Sequence, residues 1–411
     1  MKRVTQRAIL RAVGGAAVVG QLGGGAFIAS CADADVTENG PPPSMDAGGE
    51  RGGDDGGSVG DATEASVDAG HVPCDASDGG CADPEWVPVE TGHPSGLGLA
   101  SVWGSGPDDV WAVGAKGSVI HWDGATWAST PIDTNYSLQS VYGTGPNDVW
   151  IVSTASLIHR STGFANGTAT FVAETPLYEN PQFPTTAAPL LAVWATAPGD
   201  VWISGKYRAS KGALFETSWR TRPGDGGVAW TAVSAFGNTN ITYAIWGSGP
   251  NDVWMVGAKG ATGTSFASHT NGVSATDGGM PVWTEVDTAT FSVLRSIHGT
   301  ASNDVWAVGH TGTIRHYTGG PTWEIVDSPT SHNLRGVWAA AADDVWAVGE
   351  NGTVLHYDGK EWKPSTVAMP KGDTRHLYAV WGSGPSDVWA VGDGIVLHYA
   401  GPKPGTRGGA K

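Results

Sequence analysis

The stretch Ser101 to Trp127, SVWGSGPDDVWAVGAKGSVIHWDGATW, decides the fold. Its centre is Asp109-Val110-Trp111, and the same triplet begins again at Asp148, Asp200, Asp252, Asp304, Asp344 and Asp387. The seven copies are spaced 39, 52, 52, 52, 40 and 43 residues apart. A period of this size carrying four short strands per copy is the signature of a propeller blade. Each copy opens on a Leu-x-x-Val-Trp-Gly run such as Leu99 to Gly104, then turns through Gly-Pro-Asp chemistry. Asp-Val-Trp-Ala-Val-Gly follows, apolar on both faces as a strand buried between neighbouring blades must be. A glycine turn leads to a third strand of the Val-Ile-His-Trp type, and a fourth strand begins near Trp127, Trp230, Trp283, Trp323 and Trp362.

The fourth strand shows how the ring closes. The seventh copy ends at His398-Tyr399 and runs into Gly401-Pro402 with no fourth-strand tryptophan. The missing one stands ahead of the first copy, at Trp86, 17 residues before Trp103. The expectation is an all-β, seven-bladed propeller of four-stranded antiparallel blades, with the strand near Trp86 completing the last blade. Such closure removes the sheet edges that invite aggregation. Of the 20 tryptophans, only Trp219 falls outside this repeat, and the others are expected to pack between blades.

Ahead of the propeller the composition changes twice. Lys2, Arg3, Arg7 and Arg11 precede an apolar, glycine-rich stretch from Ala12 to Ala29, which reads as a secretory signal over residues 1–30. Residues 31–85 read as a disordered tether: from Ala32 on they hold fourteen acidic residues against Arg51 alone. A flexible coil of this length spans roughly 40 Å. The tether carries −13 of the formal −17 charge and the segment from Trp86 onward only −8, so the acidity says little about the domain's binding surface. The three cysteines are Cys31, Cys74 and Cys81, and the last two can pair in an oxidising compartment. The propeller is expected over 86–400, with a disordered tail over 401–411.

Ile28-Ala29-Ser30-Cys31 resembles a bacterial lipobox. The resemblance implies a lipid on Cys31 and, because Ala32 rather than an aspartate follows, an outer-membrane location, on either its periplasmic or its outer side. The alternative is an ordinary signal peptide. The repeat phrase Asp-Val-Trp-Ala-Val-Gly-x-x-Gly-x-Val-Leu-His-Tyr-Asp-Gly-x-x-Trp resembles the tectonin-type propeller repeat, and more closely the Trp-rich repeat lipoproteins of Gram-negative bacteria. That resemblance implies a lectin-like binding role. It departs from WD40 repeats, which close on a Trp-Asp pair, and from sialidase Asp-boxes.

Functional residues on a repeat scaffold belong where the blades differ. The second, third and fourth blades are expected to carry enlarged loops between strands three and four, forming a raised rim on one face. In the third blade Lys206, Tyr207, Arg208, Lys211, Trp219, Arg220 and Arg222 lie close together with Glu216 the only acid, a basic patch able to take carboxylate, phosphate or a sugar face. They are the candidate ligand-binding residues, against the alternative that they are merely solvated. His121, His159, His316, His356 and His398 recur in strand three and are expected to make structural hydrogen bonds rather than a metal site, since equivalent positions of a ring do not converge. His298 replaces a first-strand tryptophan and is expected near the axis. No HExxH, Cys-x-x-Cys or phosphate loop occurs. The sequence thus points to a monomeric, non-catalytic envelope module without cofactor, metal or nucleic-acid partner, binding surface glycan or another envelope polymer. The alternatives are a protein-interaction scaffold in an envelope complex, and a glycan hydrolase or lyase, which would need paired carboxylates at the channel mouth.

Overall fold

The computed structural model describes residues 72–73, 84–174, 189–205, 218–221, 230–233, 240–260, 262–272, 281–370 and 372–402. Cys31, Cys74, Cys81, the signal stretch and residues 403–411 lie outside them. Seven sheets follow one another along the chain, each built on a four-stranded antiparallel blade. Blade 1 is Leu99–Gly106, Asp109–Gly114, Val119–Trp122 and Trp127–Ser129, and blades 2 to 6 repeat this order.

Blade 7 consists of Leu377–Gly384, Asp387–Gly392, Val396–Tyr399 and, as its fourth strand, Trp86–Pro88. Trp86 pairs with Tyr399 and Pro88 with Leu397 in an antiparallel ladder. The sheet then extends outward: Thr366–Val367 runs parallel beside Trp86, and Val72–Pro73 runs parallel beside Thr366–Val367. Residues 72–73 of the expected tether are therefore part of the last sheet.

The core is a closed cycle of aromatic contacts. Each fourth-strand aromatic packs edge-to-face with the Asp-Val-Trp indole of the preceding blade: Trp127 with Trp389, Phe171 with Trp111, Trp230 with Trp150, Trp283 with Trp202, Trp323 with Trp254, Trp362 with Trp306 and Trp86 with Trp346. All seven pairs are T-shaped, with centroids 5.1–6.0 Å apart and planes at 76–89°. This geometry suits the positive edge and negative face of an aromatic ring. Phe171 thus stands in for the tryptophan that blade 2 lacks, and Trp86 supplies the seventh member.

A second aromatic ring lies nearer the axis, on the first strands: Trp103, Tyr142, Trp194, Trp246, His298, Trp338 and Trp381. Where it is tryptophan, the next blade offers glycine. A Cβ on Gly104 would fall 2.6 Å from Trp381, and one on Gly143 2.5 Å from Trp103. Where the ring is smaller, after Tyr142 and His298, the next blade carries Ala195 and Ala339.

The antiparallel order gives the propeller two distinct faces. At one, here the connector face, the first strands begin, the turns between strands two and three lie, and the chain passes from blade to blade. At the other lie the turns between strands one and two and between three and four. There the chain enters at Trp86 and leaves after Tyr399.

Candidate functional site

The third-strand basic residues are structural. In blade 1, Asp109 accepts hydrogen bonds from His121 Nε2 (2.7 Å), Trp111 Nε1 (3.0 Å) and Ser105 Oγ (2.6 Å), while the His121 ring lies against Trp111 at 4.3 Å. His269, His316, His356 and His398 repeat the bond to their own blade's aspartate. Burial opposes ionisation of Asp109, Asp252 and Asp387, but the histidine and serine bonds outweigh it and hold these carboxyls below their usual range. Among the described residues no group of three or more His, Cys, Asp or Glu is placed to hold a metal ion.

Two members of this column differ from expectation. In blade 2 the partner of Trp150 is Arg160, not His159, and its Nε donates to Asp148 at 2.9 Å. His159 pairs one step along, with Ile151. In blade 3 the partner of Trp202 is Arg220, one of the residues expected in the ligand-binding patch. Arg220 donates from Nε (2.6 Å) and Nη2 (2.7 Å) to the two oxygens of Asp200 and lies 4.4 Å over the Trp202 ring. It is 6% exposed, so it braces blade 3 and is withdrawn from any ligand.

The rest of the basic patch is redistributed. Trp219 is on the third strand, paired with Ile203, at the register position of Ile120 in blade 1 and Leu355 in blade 6. Lys206, Tyr207, Arg208, Lys211 and Arg222 lie outside the described residues. Their places in the chain nonetheless separate them. The first four stand between strands two (Asp200–Gly205) and three (Ser218–Arg220), and Arg222 stands after strand three. Of the three enlarged loops expected between strands three and four, blade 2 lacks its own: Ile158–Ala165 and Thr168–Ala173 form a long hairpin turned by Asn166-Gly167, both at positive φ.

The variation among described residues gathers instead at the axial mouth on the connector face. First strands of all seven blades line an axial cavity of about 220 Å³. The residue after each strand's opening leucine or its equivalent is Ala100, Gln139, Leu191, Tyr243, Arg295, Arg335 and Tyr378. This position holds five residue types across the seven blades although the strand around it hardly changes. Three engage the turn between strands two and three of their own blade. Arg295 Nε donates to His310 Nε2 at 2.9 Å, Arg335 pairs with Glu350, and Tyr378 Oη donates to Asp393 at 2.9 Å. The Arg295 guanidinium also lies 4.1 Å over the Tyr243 ring. Burial raises the pKa of Glu350, but bonds from Arg335 and Asn333 overcome it and keep the carboxyl below its usual range. Blades 4 to 7 thus set two guanidiniums between two phenols on one arc. This arc is not among the sequence expectations, although the changing residue after a nearly constant leucine is visible in the sequence.

His298 lies deeper in the channel, between Trp246 (5.9 Å) and Trp338 (6.3 Å). Its Nδ1 accepts the Ala339 N–H at 3.1 Å, which leaves the proton on Nε2. The ring touches channel solvent, but the surrounding blades desolvate it and pull its pKa down to about 4.

No family model and no curated protein matches this sequence. Solved structures do. A chain described as YCF48 bound to D1 peptide is 19% identical with a TM-score of 0.57, covering 78% of this chain and 98% of its own. YCF48 from Cyanidioschyzon merolae is 19% identical with a TM-score of 0.55, covering 77% and 98%. The WD40 propeller domain of Doa1 is 12% identical with a TM-score of 0.55, covering 78% and 98%. At these identities the likeness speaks to architecture alone, and the architecture it gives is the β-propeller.

Proposed function

We propose that this chain is a cell-envelope lipoprotein whose propeller is a non-catalytic binding platform for a protein partner, held at the axial mouth of the connector face. The observation that carries this reading is the arc of Tyr243, Arg295, Arg335 and Tyr378, the place where an otherwise uniform inner strand varies. YCF48 with its D1 peptide is a precedent for peptide recognition by a ring of this kind. The lipobox at Cys31 supplies the anchor, and the acidic tether separates it from the ring.

Against the glycan reading stands Arg220 of the candidate patch, which is committed to Asp200. At the mouth, Arg295 covers one face of the Tyr243 ring and so limits stacking of a sugar there. The test is paired screening of the soluble protein on arrays of envelope-protein peptides and of surface glycans. Peptide binding that falls at least about ten-fold in Arg295→Ala/Arg335→Ala supports the reading, as removal of central arginines from an interface would. Glycan binding that survives this change, with no peptide bound, overturns it.

A further inference from the structure

The connector between blades 4 and 5 holds the most exposed large apolar side chain among the described residues: Phe291 is 85% exposed. Single exposed apolar residues are common and mean little alone. The loop beneath this one is unusual. From Asp287 to Phe291 five consecutive carbonyls each accept a hydrogen bond. The donors are Trp323 N (2.9 Å), Arg315 Nε (3.0 Å), Arg315 Nη2 (2.9 Å), Ser265 Oγ (2.5 Å) and Ser265 N (3.2 Å), in chain order. Arg315 is itself buried, and its Nη1 donates to the Ile314 carbonyl. Asp287 accepts the Ala289 N–H, and Ala289 sits at φ 51°, a conformation non-glycine residues rarely adopt.

A buried guanidinium and a left-handed alanine are thus committed to fixing an eight-residue connector, 286–293, whose tip is bare phenyl. The scaffold does not require it. The position three residues before the opening leucine is Asn135, Ser331 and Thr374 in other blades, all polar. Rigid presentation lowers the ordering cost of association, and aromatic anchors dominate interface energies. The loop also joins the mouth. Ser292 Oγ and Thr311 Oγ1 are 2.9 Å apart, His310 N donates to the Val293 carbonyl, and His310 receives Arg295.

We propose that Phe291 is a preorganised anchor that inserts into an apolar pocket of a folded protein partner whose acidic rim meets Arg295. The inference rests on the protein-binding reading of the mouth and adds where the partner is gripped. To test it, p-benzoylphenylalanine replaces Phe291, or separately Tyr243, in the full-length chain in its own cells. Adducts are identified by mass spectrometry, and the purified partner is titrated against wild type and Phe291→Ala. The expected result is the same protein crosslinked from both positions and a loss of at least about ten-fold in affinity for Phe291→Ala, with an unchanged melting temperature. A partner crosslinked from Tyr243 but not from Phe291, or bound by Phe291→Ala within about two-fold of wild type, overturns the anchor and leaves the mouth reading intact. Adducts from neither position, or only to polysaccharide or to a second copy of this chain, overturn both.

Discussion

The backbone N–H of Ala339 donates to Nδ1 of His298 across the boundary between blades 5 and 6, at 3.1 Å. Every other boundary next to a tryptophan has glycine where Ala339 stands, so the two positions behave as a matched pair. His298→Trp alone would drive an indole onto the Ala339 methyl, an overpacking that costs about 1–3 kcal/mol. The double variant with Ala339→Gly recreates the arrangement of Trp338 over Gly382, where a Cβ would lie 2.7 Å from the indole. Denaturant titration is expected to show the double variant more stable than His298→Trp. A cycle with no coupling would contradict the size matching.

The same histidine makes stability depend on pH. Its native pKa is about 4, against 6.5 for an unconstrained ring. Between these values the unfolded chain binds a proton that the native state refuses, so stability falls as pH drops from 7 to 4, by on the order of 3 kcal/mol. His298→Tyr removes the titration and follows the precedent of Tyr142, which packs in the cluster holding Ala195. Unfolding midpoints across this window are expected to drop less in His298→Tyr than in wild type. Asp109, Asp252 and Asp387 act lower: their pKa values are depressed, so their contribution is complete above the ordinary carboxylate range and is lost only as pH falls beneath it.

Arg220 tests the division between scaffold and site. Its loss strands Asp200 as a buried, unpaired carboxylate, and breaking such a pair from one side costs about 3–5 kcal/mol. Arg220→Ala is expected to lower the melting temperature strongly, and Arg220→His to lower it less, because five blades already use a histidine there. An Arg220→Ala protein as stable as wild type would return this residue to the candidate ligand site.

The blades, their number and the closing role of Trp86 were legible because a seven-fold repeat averages over local ambiguity. What misleads in the sequence is a residue type standing beside the position that the spacing marks. Arg160 stands ten residues after Trp150, as His121 does after Trp111, and the adjacent His159 masks it. In blade 3 the inserted residues hid the count, so Arg220 was read as belonging to a loop. The bracing of Phe291 by Arg315 was not legible, because it depends on a bond between a third strand and the preceding connector. Nor did the sequence show that two phenols and two guanidiniums meet at one mouth, since they come from four blades.

The account depends most on ring closure by the N-terminal strand. The direct measurement is equilibrium unfolding, with solution mass, of two truncated chains starting at residues 84 and 90. The first keeps Trp86–Pro88 and is expected to unfold cooperatively as a monomer with nearly wild-type stability. The second bares the edge of Val396–Tyr399 and removes the ring that packs on Trp346, a loss of at least about 3–5 kcal/mol from the tryptophan alone. It is expected to unfold early or associate through the exposed edge. Equal stability of the two chains, both monomeric, would contradict a propeller closed at Trp86.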